Sequence, residues 1–177
     1  MEQKYPPSVV CLGFFDGVHR GHQALLAAAR EIAAQKGLLV CAHTFDTAPG
    51  AKSASLTTLE ERIALLRACG ADTVAVSPFD ESMRRMSGED FFHKIVLEEL
   101  NARHVVCGDD HRFGYRGAWG VEELKALCAR SGIGLTVVPP VTRENGERIS
   151  TTAIREALKS GDLARAESML GRPWAKK

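Results

Sequence analysis

This sequence lacks the runs that mark several protein classes. No window approaches the ~18 apolar residues of a membrane span, and the opening "MEQKYPPSVV" has no apolar core of a secretory signal. A cytoplasmic protein with no membrane partner is therefore expected. No block of like charges occurs, and the formal net charge is only +1. That argues against a basic arm and against nucleic acid as a partner, so any bound anion has to be held locally. The five cysteines are odd in number and show no C-x-x-C spacing, which predicts free, mostly buried thiols in a reducing compartment. No internal repeat or low-complexity segment is present, and the dinucleotide fingerprint G-x-G-x-x-G is missing.

What is present is a steady alternation. At 177 residues the chain suits one domain spanning 1–177, long enough to bury a core. Apolar and β-branched runs at 8–13, 38–45, 72–77, 103–108 and 133–139 predict five buried strands. Between them lie amphipathic helical patterns. Residues 22–36 carry Leu25, Leu26, Ala29, Ile32 and Ala33 on one face and stop before Gly37. Residues 58–69 begin with Thr57 and Glu60 spaced as a capping box, and place Leu59, Ile63 and Leu66 on one side. Ser87 is the expected cap of a helix carrying Phe92, Ile95, Val96 and Leu100 inward, and 120–131 supplies another. Strand and helix in alternation imply an α/β fold with a doubly wound, parallel five-stranded sheet and helices on both faces. After the fifth strand the pattern changes to a turn at Asn145-Gly146 and two short helices, the first capped by Ser150.

Ligands of such sheets bind beyond the carboxyl ends of the strands. The stretch there, after the first strand, is "GFFDGVHRGH", Gly13 to His22. Three glycines let the main chain turn tightly and a ligand approach closely, and the helix starting near Gly21 offers free N–H groups and a positive dipole end. His19 and His22 can donate to phosphate oxygens, and partly protonated imidazoles would favour growing negative charge. The bland readings are a simple Asp16-Gly17 turn or two zinc ligands. A zinc site needs three or four ligands, and His43, His104 and His111 stand alone in the sequence.

A second cluster, "ISTTAIR" at 149–155, puts Ser150, Thr151 and Thr152 at a helix start with Arg155 about one turn on. Capping alone explains Ser150 but not the four together. Two phosphate-ready helix starts in one domain predict a nucleoside triphosphate between them.

These two stretches resemble the H-x-G-H and Ser/Thr-rich signatures of the nucleotidylyltransferase superfamily, with its Rossmann-like fold. More closely, the chain resembles the FMN adenylyltransferase (FAD synthetase) module of prokaryotic bifunctional riboflavin kinase/FAD synthetases. The stretches that carry the resemblance are 56–72, 79–92, "CGDDHRFGYRGAWG" (107–120), "ISTTAIR" and the closing "MLGRPW", in family order over nearly the whole chain. Departures occur at "TFDTAPG", where the family pattern has T-F-x-P-H-P, and at His111, where a phenylalanine is usual. The chain stops at Lys177, where the kinase domain would begin, which implies either a separate riboflavin kinase as partner or a missing C-terminal kinase domain.

The resemblance implies transfer of AMP from Mg-ATP to the 5′-phosphate of FMN, giving FAD and pyrophosphate. It implies small-molecule substrates, with Mg²⁺ entering mainly on the ATP phosphates and no protein metal ligands assigned. His19, His22 and Arg155 would act on the phosphates. Gly13, Phe14, Phe15, Asp16, Gly21, Gly108, Ser150, Thr151 and Thr152 would form the ATP side, with Asp16 bracing the loop. Phe45, Asp46, Asp110, Arg112, Phe113 and Gly114 would form the flavin side. The small polar loop at 46–55 would cover a flavin less completely than the usual lid. A related transferase, like the glycerol-3-phosphate cytidylyltransferases, and a non-catalytic nucleotide- or flavin-binding module are the alternatives. The "FFDGVH" wording, the 107–114 segment and the GRPW ending favour the flavin enzyme, and intact His19, His22 and Arg155 favour catalysis.

Overall fold

The computed structural model describes residues 3–50 and 53–175. The five apolar runs become strands β1 (Ser8–Leu12), β2 (Leu39–Phe45), β3 (Thr73–Ser77), β4 (Ala102–Gly108) and β5 (Gly134–Val138). They form one all-parallel sheet in the order β3-β2-β1-β4-β5. Central β1 is buried along its whole length, so its "SVVCL" shows no polar alternation. The edge strands differ: Val137 of β5 is exposed, because an edge strand is covered less than the centre.

Successive side chains of β1 supply both cores. Val10 and Leu12 point to one face, against Phe92, Ile95 and Val96 and against Leu124 and Leu127 of α5 (Val121–Arg130). Val9 and Cys11 point to the other, against Leu26 and Ala29 of α1 (Arg20–Lys36) and Leu66 of α2 (Leu59–Ala68). This is the doubly wound arrangement. The chain runs β1, β2, β3 outward on one side, then returns to place β4 on the other side of β1. The topological switch point therefore lies between the carboxyl ends of β1 and β4, where a crevice opens.

Several local expectations shift. The capping box of α2 is Thr58 with Glu61, one residue beyond Thr57 and Glu60, because Thr57 is engaged by Asp16. The buried face of α2 is Arg62 and Leu66, with an arginine where the pattern suggested only aliphatics. Ser87 does cap its helix, donated to by the Asp90 amide, but α4 (Gly88–Asp90) runs into a π-helix, Phe91–Glu99. Between β3 and α4, Asp80 caps the short α3 (Glu81–Arg85). All five cysteines are free.

Beyond β5 the chain turns back at Asn145-Gly146, where Gly146 takes a left-handed φ of 83° and Thr142 bridges to Arg148. Helices α6 (Thr151–Lys159) and α7 (Leu163–Leu170) then close over a third core of Ile149, Ile154, Met169 and Leu170. Ser150 caps α6 through its hydroxyl, which accepts from the Ala153 amide. Thr151 anchors α6 to the first turn by donating to the Asp16 carbonyl at 3.3 Å.

Candidate active site

The loop after β1 is bent by residues that resist the bend. Phe15 and Val18 take left-handed φ values of 60° and 42°, and Gly17 lies at 78° between them. A β-branched residue at positive φ is strained and persists only where its surroundings enforce it. Here Asp16 is the enforcing group. Its buried carboxylate accepts from the amides of Leu56 (2.9 Å) and Thr57 (3.2 Å) and from the Thr57 hydroxyl. It also pairs with Arg155 at 2.8 Å. Bracing is thus what Asp16 does.

His19 is the N-cap of α1. Its Nδ1 accepts from the amides of Gly21 (3.1 Å) and His22 (3.4 Å), so the ring proton resides on Nε2. This explains the glycine between the histidines: a Cβ at position 21 would stand 2.9 Å from His19 Cε1. His22 stacks on His19 with centroids 3.6 Å apart and planes 18° from parallel. Burial pushes His19 down to about 4, against the opposing pull of Asp110 and Asp16. Burial and then His19 hold His22 well below the ordinary histidine value. Both imidazoles are therefore neutral near pH 7, which corrects the expectation of partial protonation. His22 Nδ1 is buried with no hydrogen-bond partner among the described residues.

Two cavities meet at the switch point. The first, about 390 Å³, runs past Gly13, Phe14, Phe15, His19, Gly21 and His22 to Gly108 and on to Ser150, Thr151 and Thr152. Both helix starts singled out in the sequence thus face one cleft. The second, about 780 Å³, is walled by Phe45, Phe79, Met83, Phe91 and Phe113 and touches Gly114 and Arg112. Phe113 is also core, buried against Phe91 and Trp119. The two cavities share Leu12, Gly13, Phe14, His111 and Arg112.

Three candidate residues stand elsewhere than expected. Asp46 is exposed, lines neither cavity, and accepts from the Phe79 amide at 2.9 Å, bracing the turn after β3. Asp110 lines the first cavity instead of the second, because Arg148 draws it and Asp109 together at 3.2 and 2.7 Å. Arg155 lines an adjoining hollow with Phe15, Asp16, His22 and Thr151, drawn there by Asp16. Of the loop at 46–55, Pro49 and Gly50 border the second cavity, while Ala51 and Lys52 lie outside the described residues.

Other contributors went unread in the sequence. Buried Arg62 lies over the Phe14 ring at 4.0 Å and donates to the Phe14 carbonyl at 3.0 Å, fixing that wall of both cavities. An arginine at an inward position of α2 was the available signal. Arg172 donates to the Gly17 carbonyl at 2.6 Å and so clamps the first turn from the chain's far end. Arg148, two residues before Ser150, carried no local signal. Among the described residues no three His, Cys, Asp or Glu side chains come together as a metal-ligand set, and no helix is long and apolar enough to cross a membrane.

Comparison with known proteins agrees with this geometry. The family model described as FAD synthetase matches residues 1–153. The chain belongs to the FAD synthetase family. It is 35% identical over 173 residues to the bifunctional riboflavin kinase/FMN adenylyltransferase of Escherichia coli K12, covering 94% of this chain and 55% of that one. The protein of the same name from Bacillus subtilis strain 168 is 32% identical over 181 residues, covering 98% and 56%. The FAD synthetase chain thus spans about half the length of these relatives. Among solved structures, one described as a macrolide-efflux protein from Streptococcus pneumoniae superposes with a TM-score of 0.85 at 30% identity, covering 96% of this chain and 58% of that chain. A pantoate-β-alanine ligase from Francisella tularensis, at 15% identity and a TM-score of 0.54 over 93% of this chain and 73% of that one, shares the fold.

Proposed function

We propose that this FAD synthetase family member transfers AMP from Mg-ATP to the 5′-phosphate of FMN, giving FAD and pyrophosphate. The observation that carries the reading is the pairing of cavities: a polar cleft between two helix starts opens beside a larger aromatic one. A triphosphate suits the first and an isoalloxazine the second. An acceptor as small as glycerol phosphate would leave the aromatic cavity empty.

An FMN phosphate oxygen bonds to the α-phosphorus of ATP while the bond to the bridging oxygen of pyrophosphate breaks. The phosphate monoester is already anionic, so the protein supplies no nucleophile; positioning and charge stabilisation carry the step. His19 donates from Nε2 as a neutral imidazole, the tautomer set by the two amides on Nδ1. His22 stacks behind it and serves the same phosphate region. Ser150, Thr151, Thr152 and the N-terminus of α6 receive the β and γ phosphates. Arg155 reaches in from the adjoining hollow; its Nε, buried and without a partner among the described residues, leaves it donors beyond the Asp16 contact. Mg²⁺ carried on the ATP phosphates would supply neutralisation of the pyrophosphate charge, with no ligand set from protein side chains among the described residues. Phe45, Phe113, Gly114 and Arg112 border the flavin. A riboflavin kinase, as a separate protein or as the other half of a longer chain, supplies FMN.

The test is an assay of ATP or CTP with FMN, riboflavin or glycerol 3-phosphate, following pyrophosphate and flavin product. FAD and pyrophosphate forming one to one from ATP and FMN is the expected result. Turnover of CTP with glycerol 3-phosphate, and none with FMN, overturns it.

A further inference from the structure

His111 is an odd residue for the place it occupies. It lines both cavities, so it stands at their junction, and its ring lies nearly parallel to that of Phe113, 16° apart with centroids at 5.8 Å. A phenylalanine would make that stacking contact without a polar atom to satisfy. Instead Nε2 is shut away from water with no hydrogen-bond partner among the described residues. An unpaired buried ring nitrogen is unfavourable wherever packing is the only role.

The second imidazole of this region shows the contrast. His43 is fully buried on β2 and shares a hydrogen bond with the Ser77 hydroxyl at 2.9 Å, so its polar need is met inside the protein. The two rings are close enough that a charge on His111 disfavours one on His43. Burial pushes His111 down to about 4, against Asp110, so it is neutral near pH 7. A neutral imidazole both donates and accepts, one nitrogen each. Its natural partner is a group that also does both, a hydroxyl.

We infer that His111 reads the hydroxylated chain that joins the ring system of the acceptor to its phosphate, acting as a specificity residue at the junction of the two cavities. The inference rests on the FMN reading above. An acceptor with its rings in the aromatic cavity and its phosphate in the polar cleft has to pass its linker through this junction, and in FMN that linker is a polyol. A site with a buried polar group rejects an analogue that leaves the group unpaired far better than an apolar pocket rejects an extra hydroxyl.

The experiment compares FMN with an analogue carrying its phosphate on an unsubstituted pentyl chain, in the wild type, His111→Phe and His111→Gln. In His111→Phe the preference for FMN should fall about three- to tenfold, the worth of one hydrogen bond. The loss should appear in the KM for FMN, with the KM for ATP and kcat unmoved. His111→Gln, whose amide reaches the place of Nε2, should keep most of the preference. His111→Leu stands in if His111→Phe does not fold. An unchanged ratio in a folded His111→Phe or His111→Leu protein, with FMN still adenylylated, overturns the role of His111 alone. A wild type that neither binds FMN in calorimetry nor turns it over overturns the FMN reading, and this inference with it.

Discussion

Asp16 and Arg155 are 139 residues apart in the chain and 2.8 Å apart in the structure. The contact ties the first turn of the sheet to the helix that closes over it, so the two helix starts that line the first cavity are held as one unit. Asp16 also accepts the amides of Leu56 and Thr57, which have no other partner among the described residues. Asp16→Ala should therefore lower stability by about 2–4 kcal/mol, chiefly through the orphaned amides, since Arg155 is one-third exposed and can turn to water. Urea denaturation measures this. A loss under 1 kcal/mol would mean that the loop holds its shape without the brace.

His19 caps α1, and in the proposed reaction it is also a donor. His19→Ala should cut kcat by about two orders of magnitude, the usual loss for one preorganised donor, and cost about 1 kcal/mol of stability through the lost cap. His19→Asn should recover the stability, because asparagine is a strong cap, without recovering kcat. Turnover and thermal melts of the two variants check this together; recovery of both quantities in His19→Asn would leave the ring no role in the chemistry. His22→Ala, which caps nothing, should lower kcat with little change in stability.

Arg155→Lys keeps the charge and loses the planar fork. The KM for ATP should rise and the chemical step slow, while FMN affinity of the free enzyme stays put. A variant altered only in FMN binding would move Arg155 to the acceptor side.

Four histidines desolvated by their surroundings give the protein an acid weakness. His19, His43 and His111 are pushed down to about 4, 3 and 4, and His22 lies well below its ordinary value, mainly by burial. Each folded-state value lies below the unfolded 6.5, so the unfolded chain binds protons first as pH falls. The stability these neutral rings contribute is complete above pH 6.5 and is lost progressively from there toward pH 4. Thermal melts from pH 7.5 to 4.5 should show Tm falling below about pH 6.5, and His43→Gln should flatten the slope. A Tm constant across that range would contradict the burial of these rings.

Glu147 acts in a lower window. Arg165 and then Arg143 pull its carboxyl down to about 2 by hydrogen bonding, and the pair ties the Asn145-Gly146 turn to α7. Its stabilisation is present above the ordinary 4.5 and disappears as pH falls from there to about 2. Glu147→Gln should therefore lose stability at pH 7 and match the wild type at pH 2, read by denaturant melts at the two pH values.

Much of this was settled within a turn or two of chain. The five strands, the start of α1 at the H-x-G-H glycine, Ser150 as the cap of α6 and the reversal at Asn145-Gly146 follow from local propensity and periodicity. Such features need only sequence neighbours, and they suffice to locate both helix starts that line the first cavity. The tertiary structure alone decided what depends on neighbours in space. It put Arg62 inward beneath Phe14, held Arg155 on Asp16, turned Asp110 to the polar cleft through Arg148, and left Asp46 outside both cavities. It also made His19, His22, His43 and His111 neutral, because desolvation depends on what surrounds a ring and not on what precedes it in sequence. Hydrogen bonds and ion pairs act over a few ångströms, and which side chains come that close is set by the order and packing of the strands.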